Sequence, residues 1–388
     1  MKIILSSDWH LGKSLYSIKL INEQATFFEN SFFPLLKDIK PDLLIVAGDI
    51  LDKPLPDQET LLLYEELLER LASLKIPSIF ILGNHDSRRT ALHKFFLKLG
   101  RIYLIDDLRY FFEPFIFQNE RGEKINLYLL PYLPFYELFE KIKGEGFLFE
   151  LEEANLSHLL AKLFEFLSVK SPSILVSHFA VAKGTYCGEE IQIKGLSFDY
   201  LISQNHFEKF DYIFLGHLHR HQELEYKIFY PGAPLPYSFE SFSEERGVHF
   251  FEIRENKILS SQFIPLSPSY ELVVIKGFFD DILKLPKTDS YVKVILQDEL
   301  PVFNAYERLK EKFPRLLFLE YENPKEVSRE INFEVLDIEE INFEEKELFK
   351  EFYEFVEGKA LDPRLEEIFV KYLEEFYKLE REEGRLCQ

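Results

Sequence analysis

Between residues 2 and 219, five short apolar runs each lead into a side chain able to bind a metal ion. No other feature of the sequence limits the fold as tightly. Run 2–5 leads into Asp8-Trp9-His10-Leu11-Gly12, and run 43–47 into Gly48-Asp49-Ile50-Leu51-Asp52. Run 78–82 leads into Gly83-Asn84-His85-Asp86, run 174–176 into Ser177-His178, and run 212–215 into Gly216-His217-Leu218-His219. Apolar runs this short, bounded by turn residues, read as buried strands. Helical spacing at 22–36, 57–74 and 87–99, with Asp57 and Ser87 as N-caps, alternates with them and predicts a layered α/β domain. Shorter strands at 102–130 and 222–265 predict sheet extensions and hairpins.

In α/β sheets the loops diverge at the carboxyl ends of the strands and leave a crevice. A mixture of carboxylate, imidazole and amide donors gathered there suits manganese, iron or zinc better than calcium. In Asp8-x-His10 and His217-x-His219, residues two apart aim the same way if the strand continues. The adjoining glycines let the backbone turn sharply. A single Asp or His after a strand is an ordinary cap or turn residue, but five such sites in order form a set.

A chain of 388 residues is long enough for two or three domains. Past 265 the pattern changes, with strands expected at 271–275, 291–296 and 316–321 and a helix near 302–313. Asn323-Pro324 and the polar residues after it read as a linker. From about 344 the chain becomes helical and acidic. The expected division is therefore 1–265, 266–330 and 335–388. Two cysteines, Cys187 and Cys387, make no disulfide framework, and a reducing cytoplasm is expected. The opening apolar stretch ends at Asp8 with no basic segment before it, so no targeting segment is expected. No apolar run is long enough to span a membrane. The formal net charge is −21, which argues against nucleic-acid binding over the whole surface. Residues 335–388 carry 17 acidic and 8 basic side chains, a net of −9, so the tail holds nearly half of the excess.

Asp-x-His, Gly-Asp, Gly-Asn-His-Asp, a lone His and Gly-His-x-His form a series that resembles the calcineurin-like metallophosphoesterases. The resemblance implies a sandwich of two sheets flanked by helices. Carried over by position, it implies that Asp8, His10, Asp49 and His219 hold one divalent metal ion. Asp49, Asn84, His178 and His217 hold a second, with Asp49 bridging and manganese favoured. A close metal pair can lower the pKa of a bound water and clamp a phosphate oxygen. The resemblance makes His85 a catalytic histidine, since imidazole carries a proton near neutral pH. Asp52 is then expected to orient it through its carboxylate.

Trp9-His10-Leu11-Gly12, Gly83-Asn84-His85-Asp86-Ser87 and the stretch Tyr230-Pro231-Gly232-Ala233-Pro234-Leu235-Pro236-Tyr237-Ser238-Phe239 narrow the resemblance to the bacterial SbcD-type nucleases. These imply exonuclease and endonuclease action at DNA ends or hairpins, in repair, recombination and replication, alongside an SbcC-like coiled-coil ATPase. They also imply a small α+β capping domain, C-terminal helices that grip the ATPase, and a homodimer formed through helices 57–74 and 87–99. Lys13, Lys183, Lys194, Arg88 and Arg89 are candidate DNA-backbone contacts. In the tail, Asp362-Pro363 is a helix start. After it Leu365, Ile368, Phe369, Tyr372, Leu373, Phe376 and Tyr377 form one apolar stripe. Leu348, Phe349, Phe352, Tyr353 and Val356 form another upstream, which Gly358 ends. The same five motifs also fit a stand-alone phosphodiesterase for small phosphoesters. A non-catalytic scaffold of the same fold is opposed by the complete donor set.

Overall fold

The computed structural model describes residues 1–322 except 17, 88–99, 145–155, 186–201, 240–243 and 255–256, and beyond them only 349–350, 353, 361, 364–366 and 369. By its contacts the chain divides into two units, Met1–Pro324 and Lys325–Gln388.

Two six-stranded sheets form the centre of the first unit. One contains β1 (Lys2–Ser6), β4 (Leu43–Ala47), β5 (Ser78–Ile81) and β6 (Ile102–Ile105) in parallel, extended beyond β1 by the antiparallel hairpin of β13 (Gly247–Arg254) and β14 (Lys257–Pro265). The other contains β8 (Lys124–Leu130), β9 (Ser173–His178), β10 (Tyr212–Gly216) and β12 (Ile228–Tyr230) in parallel. Its edges are the antiparallel strands β7 (Phe115–Gln118) and β11 (Gln222–Leu224). The parallel strands are covered on both faces, which is why they read as uninterrupted apolar runs. In β1, Ile3 and Leu5 point into the core between the sheets while Ile4 points outward to the helical layer. Leu43, Ile45 and Ala47 of β4 face Ile174, Val176 and Phe214 across that inner core.

The outer layer of the first sheet is a helical segment of three parts: α1 (Ile21–Phe27), a π turn (Phe28–Phe32) and α2 (Phe33–Ile39). The spacing at 22–36 predicts one uniform helix. Pro34 has no N–H to donate, so the α-helical ladder is interrupted ahead of it, and the π turn lies immediately upstream. Phe28 and Phe32 meet Trp9 edge-on, with ring centroids 4.8 and 5.5 Å apart. Trp9 thereby sinks the loop after β1 into the core.

Helix α3 (Gln58–Leu74) also covers this sheet. Asp57 caps it as expected, accepting from the Thr60 N–H at 3.0 Å. Leu63 and Leu67 pack inward, whereas Leu61 and Leu62 stay exposed. The partner stripe expected at 88–99, with Phe95, Phe96 and Leu99, lies outside the described residues, as do Arg88, Arg89, Lys194 and both cysteines.

After β14 comes a three-stranded parallel sheet of β15 (Leu272–Gly277), β16 (Tyr291–Leu296) and β17 (Leu316–Tyr321), backed by the helix α4 (Ala305–Lys312). It has a core of its own around Val292, Val294, Leu309 and Phe313. Tyr270, Leu272 and Tyr291 instead join the core of the first large sheet. In the second unit, Phe349, Tyr353, Arg364–Glu366 and Phe369 are helical, and the Phe349 and Phe369 rings stack 4.0 Å apart. The expected cap Asp362-Pro363 and the rest of the two tail stripes lie outside the described residues. No helix among the described residues is long and apolar enough to cross a membrane.

Asp57→Ala removes the α3 cap and is expected to cost about 1 kcal/mol. Urea denaturation of the variant against the parent measures it; an unchanged midpoint would show that the cap contributes nothing.

Candidate metal centre

The carboxyl ends of β1, β4 and β5 in one sheet and of β9 and β10 in the other open at a common rim, and the five motifs meet there. Two places of close approach bring them together. A Cβ at Gly216 would fall 1.9 Å from the Ala47 carbonyl oxygen, so only glycine lets β10 come this near β4. At Gly83 a Cβ would fall 2.2 Å from Asp49 Oδ1.

Asp8 and His10 do not share an extended strand as the i, i+2 spacing suggested. The strand stops at Ser6, and Asp8, His10 and Asp49 take left-handed conformations with φ of 53°, 44° and 50°. The loops after β1 and β4 nevertheless stay paired, with Asp8 N–H donating to the Gly48 carbonyl and His10 N–H to the Asp49 carbonyl, both at 3.0 Å. His217 likewise has a positive φ of 91°. Non-glycine residues in this region cost energy and persist where surrounding structure holds them.

The donor atoms fall into overlapping groups, Asp8 with His10 and His219, Asp8 with Asp49 and His178, and His10 with Asp52 and His85. Asp8 and Asp49 are 0% and 2% exposed. His178 Nδ1 donates to the Ala47 carbonyl at 2.7 Å, which aims Nε2 into the site, 3.3 Å from Asp49 Oδ2 and 3.0 Å from Asn84 Oδ1. His217 Nδ1 lies 3.0 Å from the same Asn84 oxygen. Asp8 takes support from Ser7 Oγ and from the His217 N–H at 3.0 Å. Asp49 Oδ1 accepts from the His85 N–H at 2.9 Å. All seven expected metal donors are thus gathered at one place.

The electrostatics of this donor set call for added positive charge. Burial raises the Asp8 carboxyl to about 6, against the pull of the neighbouring histidines. Burial also works against ionised Asp49, but His178 and His10 hold it well below the usual carboxylate range. His178 is pulled down by burial, yet Asp49 and Asp8 outweigh that and raise it to about 9. Burial lowers His10 to about 4 and His217 to about 3. The His10 and His219 Nε2 atoms lie 3.0 Å apart, close enough to share a proton or to face one cation together. A divalent cation meets the demand for positive charge, and imidazole, carboxylate and amide oxygen are ligands that suit one.

His85 sits at the outer lip, about one-third exposed. Its orientation differs from the expectation. Nδ1 is 2.8 Å from the main-chain carbonyl of Asp52, not hydrogen-bonded to its carboxylate. That carboxylate pairs with Lys13 Nζ at 2.9 Å and faces His10 Nδ1 at 3.5 Å. Burial opposes its ionisation, but His10 and Lys13 hold it down to about 2. The left-handed turns carry the chain so that Asp52 presents its backbone to one histidine and its side chain to the other. Lys13 is thereby tied to the site, and Lys183 pairs with Glu225 at 3.3 Å.

Sequence reasoning assigned no role to Asp86, although it lies inside the Gly-Asn-His-Asp motif. Its carboxylate accepts from the N–H groups of Gly83 (2.9 Å), Ile50 (3.2 Å) and Leu51 (2.9 Å), and so ties the Asp49 loop to the Asn84 loop. Gln24 and Tyr237 were also missed. Gln24 Nε2 donates to the His10 carbonyl at 2.8 Å, its Oε1 accepts from Gly12 N–H at 2.9 Å, and Tyr237 Oη donates to the Trp9 carbonyl at 2.5 Å. Tyr237 lies in the 230–239 stretch that carried the family resemblance but had no role assigned, and Gln24 carried no signal, because each holds a loop from a different part of the chain.

The family model of the Calcineurin-like phosphoesterases matches residues 1–221, more than half of the chain. The chain belongs to this family. A phosphoesterase of this kind hydrolyses phosphoesters, and the donor set at the rim fits the divalent metal on which the family depends. Over 387 residues the chain is 28% identical to the SbcD component of the SbcCD nuclease from Staphylococcus saprophyticus, covering 97% of this chain and 99% of that protein. It is likewise 28% identical over 326 residues to the SbcD component of the SbcCD nuclease from Staphylococcus epidermidis, covering 82% and 85%. Among solved structures, a dimetal phosphatase from Danio rerio matches with a TM-score of 0.39 at 11% identity, over 69% of this chain and 99% of that one, and this looser likeness carries no weight.

Gly83→Ala forces a methyl group into Asp49 and is expected to weaken divalent-metal affinity at least about tenfold, about 1.4 kcal/mol. Calorimetric manganese titration, with circular dichroism as the folding control, checks it. Unchanged affinity would show that Asp49 can move aside without consequence.

Proposed function

We propose that this phosphoesterase is the nuclease component of an SbcCD-type complex, a metal-dependent phosphodiesterase acting on DNA ends or hairpins with an SbcC-like coiled-coil ATPase in the cytoplasm. The observation that carries the reading is the near end-to-end match to a protein named as that component, which extends past the phosphoesterase region into the small sheet and the tail. Two divalent ions are the expected complement, manganese being favoured by the mixed oxygen and nitrogen donors. Asp8, His10 and His219 would serve one ion and Asn84, His178 and His217 the other, with Asp49 shared. Such a pair supplies a water of lowered pKa and a clamp for phosphate oxygens.

The remaining steps fall to the protein. His85 would deliver a proton to the leaving oxygen from Nε2, because Nδ1–H is engaged by the Asp52 carbonyl. Asp52 and Lys13 would steady His10 from behind. Residues 266–330 are read as a capping domain and 335–388 as the partner-binding helices. The stacked Phe349 and Phe369 show tail rings meeting across the chain, and aromatic anchors of this kind suit docking in a groove of a helical partner. Of the α3 residues expected at a homodimer contact, Leu63 and Leu67 are buried in the chain's own core, and exposed Leu62 would remain for that contact.

Asp49→Ala is expected to abolish turnover and metal loading together. His85→Asn should keep its metals and lose roughly 10²–10⁴-fold in rate. Metal content and DNA cleavage measured on both variants separate the two roles, and loss of metal from His85→Asn would overturn the division. Strong cleavage of small phosphodiesters with none of DNA, even with the ATPase present, would favour the stand-alone enzyme.

Truncation after residue 335 should leave a folded, metal-binding protein that no longer retains the ATPase in a pull-down. Undiminished retention would remove the tail from that role.

A further inference from the structure

The loop that carries Asp8 and His10 is held from two sides, and each holder is the sequence neighbour of a residue held by the small sheet. On α1, Gln24 is fully buried and donates to the carbonyls of His10 (2.8 Å) and Trp9 (3.3 Å). The residue before it, Glu23, belongs to the other side. Its carboxylate accepts from Tyr291 Oη of β16 at 2.6 Å and lies 3.8 Å from Arg315, while its carbonyl accepts from Ser269 Oγ at 2.5 Å. In the loop after β12, Tyr237 donates to the Trp9 carbonyl and accepts from Gln24 Nε2 at 3.1 Å. The residue before it, Pro236, offers its carbonyl to Tyr270 Oη ahead of β15.

A main-chain step of one residue therefore separates the small sheet's hydrogen bonds from the metal loop's in both places. Adjacent residues share a peptide plane, so a shift of Tyr291 acts on the backbone beside Gln24 and a shift of Tyr270 on the backbone beside Tyr237. An open cavity of about 470 Å³, lined by Pro236, Arg246, Tyr270 and Leu272 among others, lies beside these bonds, while Tyr270, Leu272 and Tyr291 pack into the core of the first large sheet. Arg246, on the cavity wall, donates in turn to the His219 carbonyl at 3.0 Å.

The geometry points to Gln24 and Tyr237 as positioning residues that make the placement of the His10 metal loop depend on how the small sheet is seated. The inference rests on the metal-centre reading above and adds a control to it. Anything that tilts or clamps the small sheet, whether DNA or a partner chain, would tighten or slacken the grip on metal from the far side of α1.

Manganese affinity of the full chain, read by electron paramagnetic resonance of the free ion, tests it. Tyr291→Phe keeps the ring and removes only the bond to Glu23. Tyr270→Phe likewise keeps the ring and removes the bond to the Pro236 carbonyl. Each is expected to weaken affinity at least about threefold, the order of one lost hydrogen bond. Thermal unfolding of the metal-free protein should change little. In a Gln24→Met background the Tyr291→Phe step should shrink below that size, because its route is already cut. If Gln24→Met does not fold, Gln24→Glu, which loses the donor to His10 but keeps an acceptor for Gly12, takes its place. Smaller effects from both tyrosine variants, or an undiminished Tyr291→Phe step in the Gln24 background, would overturn the inference. Wild-type protein that binds no manganese would instead overturn the metal-centre reading and this inference with it.

Discussion

Two carboxylates, Asp8 and Asp49, lie together in the interior at the mouth of both sheets. An ionised carboxylate taken out of water costs several kcal/mol unless hydrogen bonds and opposite charge replace its hydration. Much of the structure answers that demand. Ser7 and the His217 N–H support Asp8, and the His85 N–H supports Asp49. His178 is driven toward protonation by the same two acids. A divalent cation supplies the charge directly, and so coupling between metal binding and stability is built into the site.

The site also fixes how the sheets meet. Gly216 and Gly83 permit approaches that any side chain would block, the first to the Ala47 carbonyl and the second to Asp49. Above them the loops are braced from one to the next. Asp86 joins the second and third, and the Asp8–Gly48 and His10–Asp49 hydrogen bonds join the first and second. Sheet packing, loop conformation and donor geometry are therefore one arrangement. The small sheet reaches it through Tyr270 and Tyr291, which bond to the residues next to Tyr237 and Gln24.

Strand positions were largely legible. The runs 43–47, 291–296 and 316–321 coincide with β4, β16 and β17, and Asp57 caps α3. Burial on both faces leaves an unbroken apolar run, a cap needs one side-chain oxygen beside three free N–H groups, and both signals are local. The uniform helix expected at 22–36 is broken by a π turn just ahead of Pro34, whose missing N–H an apolar periodicity does not register.

At the site, the sequence by itself determined which side chains are available and that each follows a strand, since donor chemistry and strand ends are both local properties. It also placed His85 and Asp52 in one neighbourhood. Only the tertiary structure decided that Asp52 turns its carbonyl to His85 and its carboxylate to Lys13 and His10. It alone showed that Gln24, Tyr237 and Asp86 hold the loops. The reason is that left-handed turns at Asp8, His10 and Asp49 reverse which face each residue presents. Those turns are stabilised by hydrogen bonds between segments distant in sequence, which residue spacing does not encode.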